Sequence, residues 1–322
     1  MAQRPFISIC IPAYKNRLYL QRLLDSIAEQ QFRDFEVVLT DDSPDEQLQE
    51  LARQYEGRFP LRYLRNPQPL GSPANWNRGI ALAAGEWIKI MHDDDWFTDA
   101  GSLRVFADAA RTTKDDFIFS GFEEVDVEAG HRRVFAATSF DRRMLHRNPL
   151  YLLRTNYIGH PSTTLIRNNR ADWFDETIKW VVDVEFYIRA LRQRPGFMTL
   201  TLPLITIGVG REQITRQSFR KPEVEVPENL YLLQRIGLAS LRYIFAYDYY
   251  WRLLRNLRLT SADGMSRWTD AGMIPEPLLG MMRFQRLVGQ GLLRRLGIVS
   301  KCCMFLHYLL YAGRIQKASG SR

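Results

Sequence analysis

Apolar positions in the first hundred residues come in short runs separated by amphipathic stretches. FISICIPAY (6–14), FEVVLT (35–40), LRYL (61–64) and EWIKIM (86–91) read as strands bounded by polar turns. Between them, RLYLQRLLDSIAEQ (17–30) sets Leu20, Leu23, Leu24 and Ile27 at helical spacing, and DEQLQELARQYE (45–56) is helical again. SPANWNRGIALAAG (72–85) opens with Ser72 before Pro73, the start signal of a capped helix. Strand and helix in alternation predict an α/β protein with a parallel, doubly wound sheet. Ligands of such sheets bind beyond the carboxyl ends of the strands. Three polar stretches fall there: Pro12-Ala13-Tyr14-Lys15-Asn16, Asp41-Asp42-Ser43 and His92-Asp93-Asp94-Asp95.

From about 115 to 210 the pattern is mixed. DDFIFSGF, HRRVFAA, STTLIR (162–167) and LPLITIGVG (202–210) read as strands, and DVEFYIRALRQ (183–193) as a helix. PEVEVPENL (222–230) reads as a Pro- and Glu-rich connector. After it come YLLQRIGLASLRYIFAYDYYWRLLRNLRL, one long or two shorter helices, and GLLRRLGIVSKCCMFLHYLLYAGRIQK (291–317). The longest uncharged run in the last segment is Cys302–Gly313, well short of the roughly 20 residues a spanning helix needs. An interfacial or packing helix is therefore expected.

Charge divides the chain at the same place. Residues 1–229 carry 30 Lys and Arg against 32 Asp and Glu, whereas residues 230–322 carry 14 against 4. The net charge of +8 thus belongs to the tail, which suits the anionic face of a membrane. Nucleic acid fits less well, because Leu and Tyr recur there at helical spacing, and none is expected as a partner. The Tyr- and Leu-rich helices also suit a homodimer interface. Cys10, Cys302 and Cys303 have neither zinc nor disulfide spacing, and the first residues contain no signal-peptide core, so a cytoplasmic protein is expected. His131, His146 and His307 show no ligand spacing.

The three adjacent carboxylates of KIMHDDDWF (89–97) need a reason. Unit charges ~4 Å apart repel by about 1 kcal/mol in water and about 4 kcal/mol at an effective dielectric near 20. Either solvent or a cation must offset that. The ordered set ISICIPAYKN, FEVVLTDDSPD, NPQPLGSPANWNRGIALAAGEWIKIMHDDDWF and WVVDVEFYIRAL resembles the family 2 inverting glycosyltransferases over about residues 6–215. Its most specific part is Gly71…Asn77-Arg78-Gly79…Ala84-Gly85 followed by the acids.

The resemblance implies a GT-A fold: a Rossmann-like, mostly parallel sheet flanked by helices, with a helical C-terminal appendage. The catalytic domain would be residues 1–221, with a nucleotide-sugar half (1–97) and an acceptor half (98–221), and residues 222–322 a basic helical region. It implies transfer of a sugar from a nucleotide-diphosphate sugar, of UDP or dTDP type, to a hydroxyl of a glycan or lipid-linked acceptor, with inversion, in surface polysaccharide assembly at the inner membrane face. Asp93, Asp94 and Asp95 would hold Mg²⁺ or Mn²⁺ against the diphosphate. The register stays open: Asp93 and Asp95 make a literal D-x-D, whereas the family more often reads Asp-x-Asp-Asp, which sets His92 in place of the first acid. Pro12, Ala13, Tyr14, Asp41, Asp42, Asn75, Asn77, Arg78 and Arg211 would serve the nucleotide, together with Asp93 and Asp94. Many members carry Arg where Trp76 stands.

Asp183 falls where the family places its catalytic base, with Glu185 in reserve; neighbours on a helix point about 100° apart, so one of the pair faces substrate. His160-Pro161-Ser162 and Arg211-Glu212-Gln213 resemble acceptor-side and lid segments by order alone. Plainer duties compete with these roles. Asp42, Ser43 and Asp45 suit a helix cap, Arg78 a surface salt bridge, and Asp183 a helix N-terminal acid. A non-catalytic module that binds nucleotide sugar or glycan is the alternative function, and an acid at Asp183 argues against it.

Overall fold

The structure, a computed structural model, describes residues 4–126, 130–169, 171–209 and 220–319. The chain divides into two compact units, Met1–Pro149 with Asn156–Gln213 and Leu150–Thr155 with Ile214–Arg322. The first unit holds a nine-stranded sheet among the described residues. Its strands are β1 (Ile7–Ala13), β2 (Phe35–Asp41), β3 (Leu61–Arg65), β4 (Trp87–Ile90), β5 (Asp95–Phe97), β6 (Phe117–Asp126), β7 (Arg132–Phe135), β8 (Thr164–Arg167) and β9 (Met198–Val209). They lie in the order β3-β2-β1-β4-β8-β6-β9-β5, with β7 beside β6.

β3, β2, β1 and β4 run parallel. β8 enters antiparallel between β4 and β6, and β6 runs parallel to β9. The runs in β1, β2 and β4 are mostly apolar, as suits strands buried on both faces: Ile7, Ile9, Ile11, Val37, Leu39 and Trp87 are all buried. α1 (Arg17–Ala28) buries Leu20, Leu23, Leu24 and Ile27, as its spacing predicts, and the Asn16 side chain caps it by accepting from Tyr19 N at 3.1 Å.

α2 (Gln47–Arg53) precedes α3 (Ala74–Ala81). The expectation that Ser72 caps α3 is corrected: Pro73 is the N-cap residue and makes no side-chain cap bond. The carbonyls of Gly71 and Pro73 accept the first helical N–H groups instead. The glycines of this segment bring the helix close to the sheet. A Cβ at Gly79 would touch Cys10 Cβ and Thr40 Oγ1 at 3.5 Å. One at Gly85 would meet Ser8 N at 2.5 Å, closer than any side chain is tolerated.

The acidic turn does not simply end in a loop. Its last acid, Asp95, begins β5, which pairs antiparallel with β9 through Asp95–Ile207 and Phe97–Ile205. α4 (Ser102–Thr112) and α5 (Ser139–Arg147) are further elements beyond those expected, and α6 (Val182–Gln193) carries the expected second-half helix. The capping box on α5, Thr138 with Asp141, is a Thr-x-x-Asp signal present in the sequence.

In the second unit the connector expectation is overturned. Pro222 opens a helix, Pro222–Ile236, with Glu223 and Glu225 in its first turn. Pro is tolerated at a helix start and acids there complement the dipole, so this composition favours a helix N-terminus as much as a linker. Gly237, at φ 85°, ends it before Leu238–Arg242 and Ile244–Asn256 follow. Trp251, Tyr247 and Tyr250 of the latter are buried. The final helix is Gly297–Ser319. Among the described residues no helix is long and apolar enough to cross a membrane. Cys10 is buried in β1, Cys302 is exposed and Cys303 half-buried, all as free thiols.

Candidate functional site

Three parallel strands end together. Ala13 is in register with Asp41, and Cys10 with Ile90, so the loops after β1, β2 and β4 leave the sheet on one rim. Backbone groups tie those loops to one another. Asp42 N donates to Ala13 O at 3.0 Å, Lys15 N to Ser43 Oγ at 2.8 Å, and Tyr14 N to Asp93 Oδ2 at 3.1 Å. The acidic turn therefore meets the loop after β1 directly.

Asp95 is 1% exposed, and neither of its carboxylate oxygens has a hydrogen-bond partner. Burial, then the charge of Asp94, holds its carboxyl well above the usual carboxylate range; the neighbouring Ser162 hydroxyl and the Lys89 ammonium act the other way. Asp93 is pushed up to about 7 by burial and by Asp94, with its bond from Tyr14 N acting the other way. Lys89 is fully buried beneath and burial pushes its ammonium down. Its Nζ donates to the carbonyls of Ser162 and Thr164, not to Asp95. An acid this deep with empty acceptor positions is a costly arrangement unless something cationic completes it.

His92 stands beside Asp95, Nδ1 to Oδ2 at 4.0 Å, and its Nε2 is buried without a partner. Burial, His160 and Lys89 push the imidazole down to about 3. Its backbone N donates to Ser162 Oγ at 3.0 Å, and its ring packs on Trp76 at 4.7 Å between centroids. Trp76 in turn meets Phe174 edge-on. His92, Asp95 and His160 each offer a ligand atom, all within 4.8 Å of one another. These residues fit a divalent ion.

Several expected nucleotide contacts are occupied within the protein. Asp41 accepts from Ser43 N at 2.7 Å and from Tyr63 OH at 2.6 Å. Asp42 accepts from Asn66 Nδ2, Leu70 N and Gly71 N at 2.7, 3.0 and 2.8 Å, so it holds the 66–71 loop and does not cap α2. Asn75 is buried, bonded to Thr40 O and Asn66 Nδ2. Asn77 binds the backbone of Phe174 through both ends of its amide, and Glu176 Oε1. These side chains position the rim. Pro12 is half-buried and Ala13 buried, whereas Tyr14 is 52% exposed with Lys15 Nζ 4.7 Å from its ring centroid. Arg78 is exposed and forms no ion pair among the described residues. Arg211, with Glu212 and Gln213, lies outside the described residues.

Asp183 sits in the first turn of α6. Its Oδ1 accepts from Val184 N and its Oδ2 from Asn156 Nδ2, both at 2.8 Å. Burial raises its pKa above the usual value, while those bonds and the nearby His160 act in the opposite direction. Glu185, expected as the reserve base, is engaged by a cation of its own helix. It is 2% exposed and held by Arg189, Nε to Oε1 at 2.9 Å and Nη2 to Oε2 at 3.1 Å, so it is a clamp on α6. Asn156 is a residue the sequence reading missed. Its amide bonds Asp183 and both backbone groups of Gly159, so it couples the acid to the loop carrying His160. His131, His146 and His307 lie outside this cluster; His146 stacks on Phe197, and His307 Nδ1 is 2.5 Å from Tyr247 OH.

The model of the family described as "Glycosyl transferase family 2" matches residues 8–171. An uncharacterized protein of Mycobacterium tuberculosis is 30% identical over 205 residues, 58% of this chain and 62% of its own length. The poly(ribitol-phosphate) beta-N-acetylglucosaminyltransferase TarS of Staphylococcus aureus is 26% identical over 187 residues, 57% of this chain and 32% of TarS. The matched region thus spans less than two thirds of either relative. The crystal structure of TarS 1–349 with UDP-GlcNAc superposes with a TM-score of 0.64 at 17% identity, covering 97% of this chain and 92% of that one. The mannosyltransferase PcManGT of Pyrobaculum calidifontis, with GDP-Man and Mn²⁺, gives 0.53 at 16% identity, covering 100% and 89%.

Proposed function

The chain belongs to glycosyl transferase family 2, with a GT-A fold, and from that membership we propose that it moves a sugar from a nucleotide-diphosphate sugar to a hydroxyl of a glycan or lipid-linked acceptor, using a divalent metal and inverting the anomeric centre. The observation that carries this reading is Asp95: a buried carboxylate with two empty acceptor oxygens, on the rim where the loops after β1, β2 and β4 meet. Asp95, with Asp93 or Asp94, would hold Mg²⁺ or Mn²⁺. When bound, that ion supplies neutralisation of the charge developing on the departing nucleoside diphosphate.

The protein's own groups do the rest. Tyr14, exposed at the end of the β1 loop, flanks the base, and Pro12 and Ala13 form the pocket's edge. Asp41 and Asp42 fix the loops that shape it and retain acceptor capacity for a base or ribose donor, since an ionised carboxylate offers about four lone-pair sites. Arg78 is a cation available to phosphate. Asp183 takes the proton of the acceptor hydroxyl as it attacks, and a buried carboxyl with a raised pKa is a stronger base than an exposed one. A donor of UDP or dTDP type is proposed; TarS was crystallised with UDP-GlcNAc, and PcManGT with GDP-Man and Mn²⁺. The name of TarS, a transferase to poly(ribitol-phosphate), supports a surface-polymer acceptor.

Thermal unfolding with UDP, dTDP and GDP, each with and without Mn²⁺, tests the reading. UDP or dTDP with the ion at ~100 times its dissociation constant should add about 2.7 kcal/mol of stability. If Mn²⁺ adds nothing to the effect of any of the three, the metal-bridged site is wrong. The second unit is proposed to rest on the anionic inner face of a membrane. Its tail carries the excess positive charge, and Ile298, Phe305, Leu306, Leu309 and Leu310 of its last helix are exposed. Co-sedimentation with anionic liposomes should be strong at low salt and fall as salt rises. Equal recovery in the supernatant with and without liposomes would dismiss it.

A further inference from the structure

We propose that the ion at this site is ligated by two imidazoles, His92 and His160, as well as by Asp95, and that the site therefore selects a transition ion such as Mn²⁺ or Co²⁺ over Mg²⁺. The inference rests on the metal-dependent reading above and goes beyond it, because that reading assigns the ion to the aspartates alone.

Three observations carry it. First, the three ligand atoms lie within 4.8 Å of one another, and His92 Nδ1 is 4.0 Å from Asp95 Oδ2. Metal–ligand bonds of about 2.0–2.2 Å put two donors on one ion roughly 3–4 Å apart, so only a small closure is needed. Second, the donors are idle. Both oxygens of Asp95 and Nε2 of His92 are buried without a hydrogen bond, and the ring of His160 forms none among the described residues. Lys89, the nearest cation, spends its ammonium on two backbone carbonyls. Third, both imidazoles are held in place. His92 is fixed by the Trp76 ring and by Ser162 Oγ on its backbone N. His160 is fixed by Thr163, whose N and Oγ1 both donate to His160 O, and by the preceding Gly159 at φ 91°. A Cβ at Gly159 would meet Phe122 Cε1 at 2.8 Å and push on that ring, so the backbone carrying His160 is tightly set. A merely packed polar pair would leave these nitrogens unpaired at a cost, whereas a shared ion uses them.

The consequence is selectivity. Mg²⁺ prefers oxygen donors and near-ideal octahedral geometry, whereas imidazole suits later first-row ions. Three protein donors leave the remainder of a six-coordinate shell to diphosphate oxygens and water.

Pulsed electron paramagnetic resonance on the full chain loaded with Mn²⁺ alone, without donor sugar, reads the ligands directly. Nitrogen couplings should appear and should change to the ¹⁵N pattern when histidine is ¹⁵N-labelled. His92→Gln and His160→Gln should each lose part of the coupling and weaken Mn²⁺ by at least about tenfold, with circular dichroism unchanged. His92→Asp guards against a folding artefact: it should bind both ions and lower the Mn²⁺-to-Mg²⁺ affinity ratio at least about tenfold. Absent nitrogen couplings, with both Gln variants binding Mn²⁺ as the parent does while Asp95→Asn does not, would overturn the histidine ligands and leave the metal-dependent reading standing. Failure of the parent to bind either Mn²⁺ or Co²⁺, with sugar transfer persisting in chelator, would overturn both.

Discussion

Asp95→Asn is expected to lower sugar transfer by about a thousandfold or more and to abolish metal-dependent stabilisation, while leaving the metal-free protein at least as stable as the parent. The first half follows from what the ion supplies. Lewis-acid stabilisation of a leaving diphosphate contributes several kcal/mol, and ~4 kcal/mol corresponds to about a thousandfold in rate. The second half follows from the surroundings of Asp95. Asp95 is buried, its oxygens are unpartnered, and Asp94 repels it. Replacing that carboxylate with a neutral isostere removes a like-charge interaction and leaves an oxygen facing the Ser162 hydroxyl. Asp42 is the internal control, with the opposite signature. It accepts three hydrogen bonds that hold the 66–71 loop, so Asp42→Asn should cost about 1–3 kcal/mol of stability. Chemical denaturation with and without Mn²⁺, beside a transfer assay, separates the two. A large loss of stability in metal-free Asp95→Asn would mean that the residue is a structural carboxylate, and the metal assignment would fall.

Much of this was legible in the sequence because the informative residues are local. Continuous apolar runs marked β1, β2 and β4, and the polar residues just after each run were bound to share a rim once the strands proved parallel. Gly79 and Gly85 stood out in the sequence as residue types, but the close approaches that require them are to Cys10 and Thr40 and to Ser8, on other strands. What sequence spacing did not convey was which polar groups pair with one another. Asp41, Asp42, Asn75 and Asn77 carry the residue types of a binding site, yet their first partners are Tyr63, Asn66, Thr40 and Phe174. Hydrogen bonding across some twenty to a hundred residues leaves no periodicity to read. The same holds for His160 and Ser162, which meet the acidic turn because β8 inserts beside β4, and for Asn156, which reaches Asp183 across 27 residues. His92 and Trp76, which the resemblance set apart in the sequence, are in ring contact. Pro222–Ile236 failed for another reason. Proline and acids at a helix start have the composition of a linker, and only the buried Val226, Leu232, Leu233 and Ile236 distinguish the two.

Asp183→Asn should lower the turnover rate by about 10²–10⁴-fold with donor affinity unchanged, the range expected for loss of a general base. Its pH behaviour distinguishes a base from a helix N-terminal acid. Burial raises the Asp183 pKa in the folded protein above its unfolded value. The sign follows: the folded state binds the proton more tightly, so the stabilising contribution is present below the unfolded pKa and is lost as pH rises through the folded one. At neutral pH the charged carboxylate is thus a burden on the fold, but Asp183→Asn also sets an amide donor against Val184 N or Asn156 Nδ2, so the rate profile and not stability separates a base from a helix N-terminal acid. Transfer requires the deprotonated form, so the acid limb of the rate profile should lie above the ~3.9 of an ordinary aspartate. Asn156 supplies the sharper test. Its Nδ2 donates to Asp183 Oδ2 at 2.8 Å and favours the charged carboxylate. Asn156→Ala should therefore move the acid limb to higher pH while much of the plateau rate survives. Anomeric-proton spectroscopy of the product should show the configuration opposite to the donor's. An Asp183→Asn enzyme with full turnover, or an acid limb that Asn156→Ala leaves in place, would assign the proton to another group, and Glu185, held bidentately by Arg189, is not positioned to receive it.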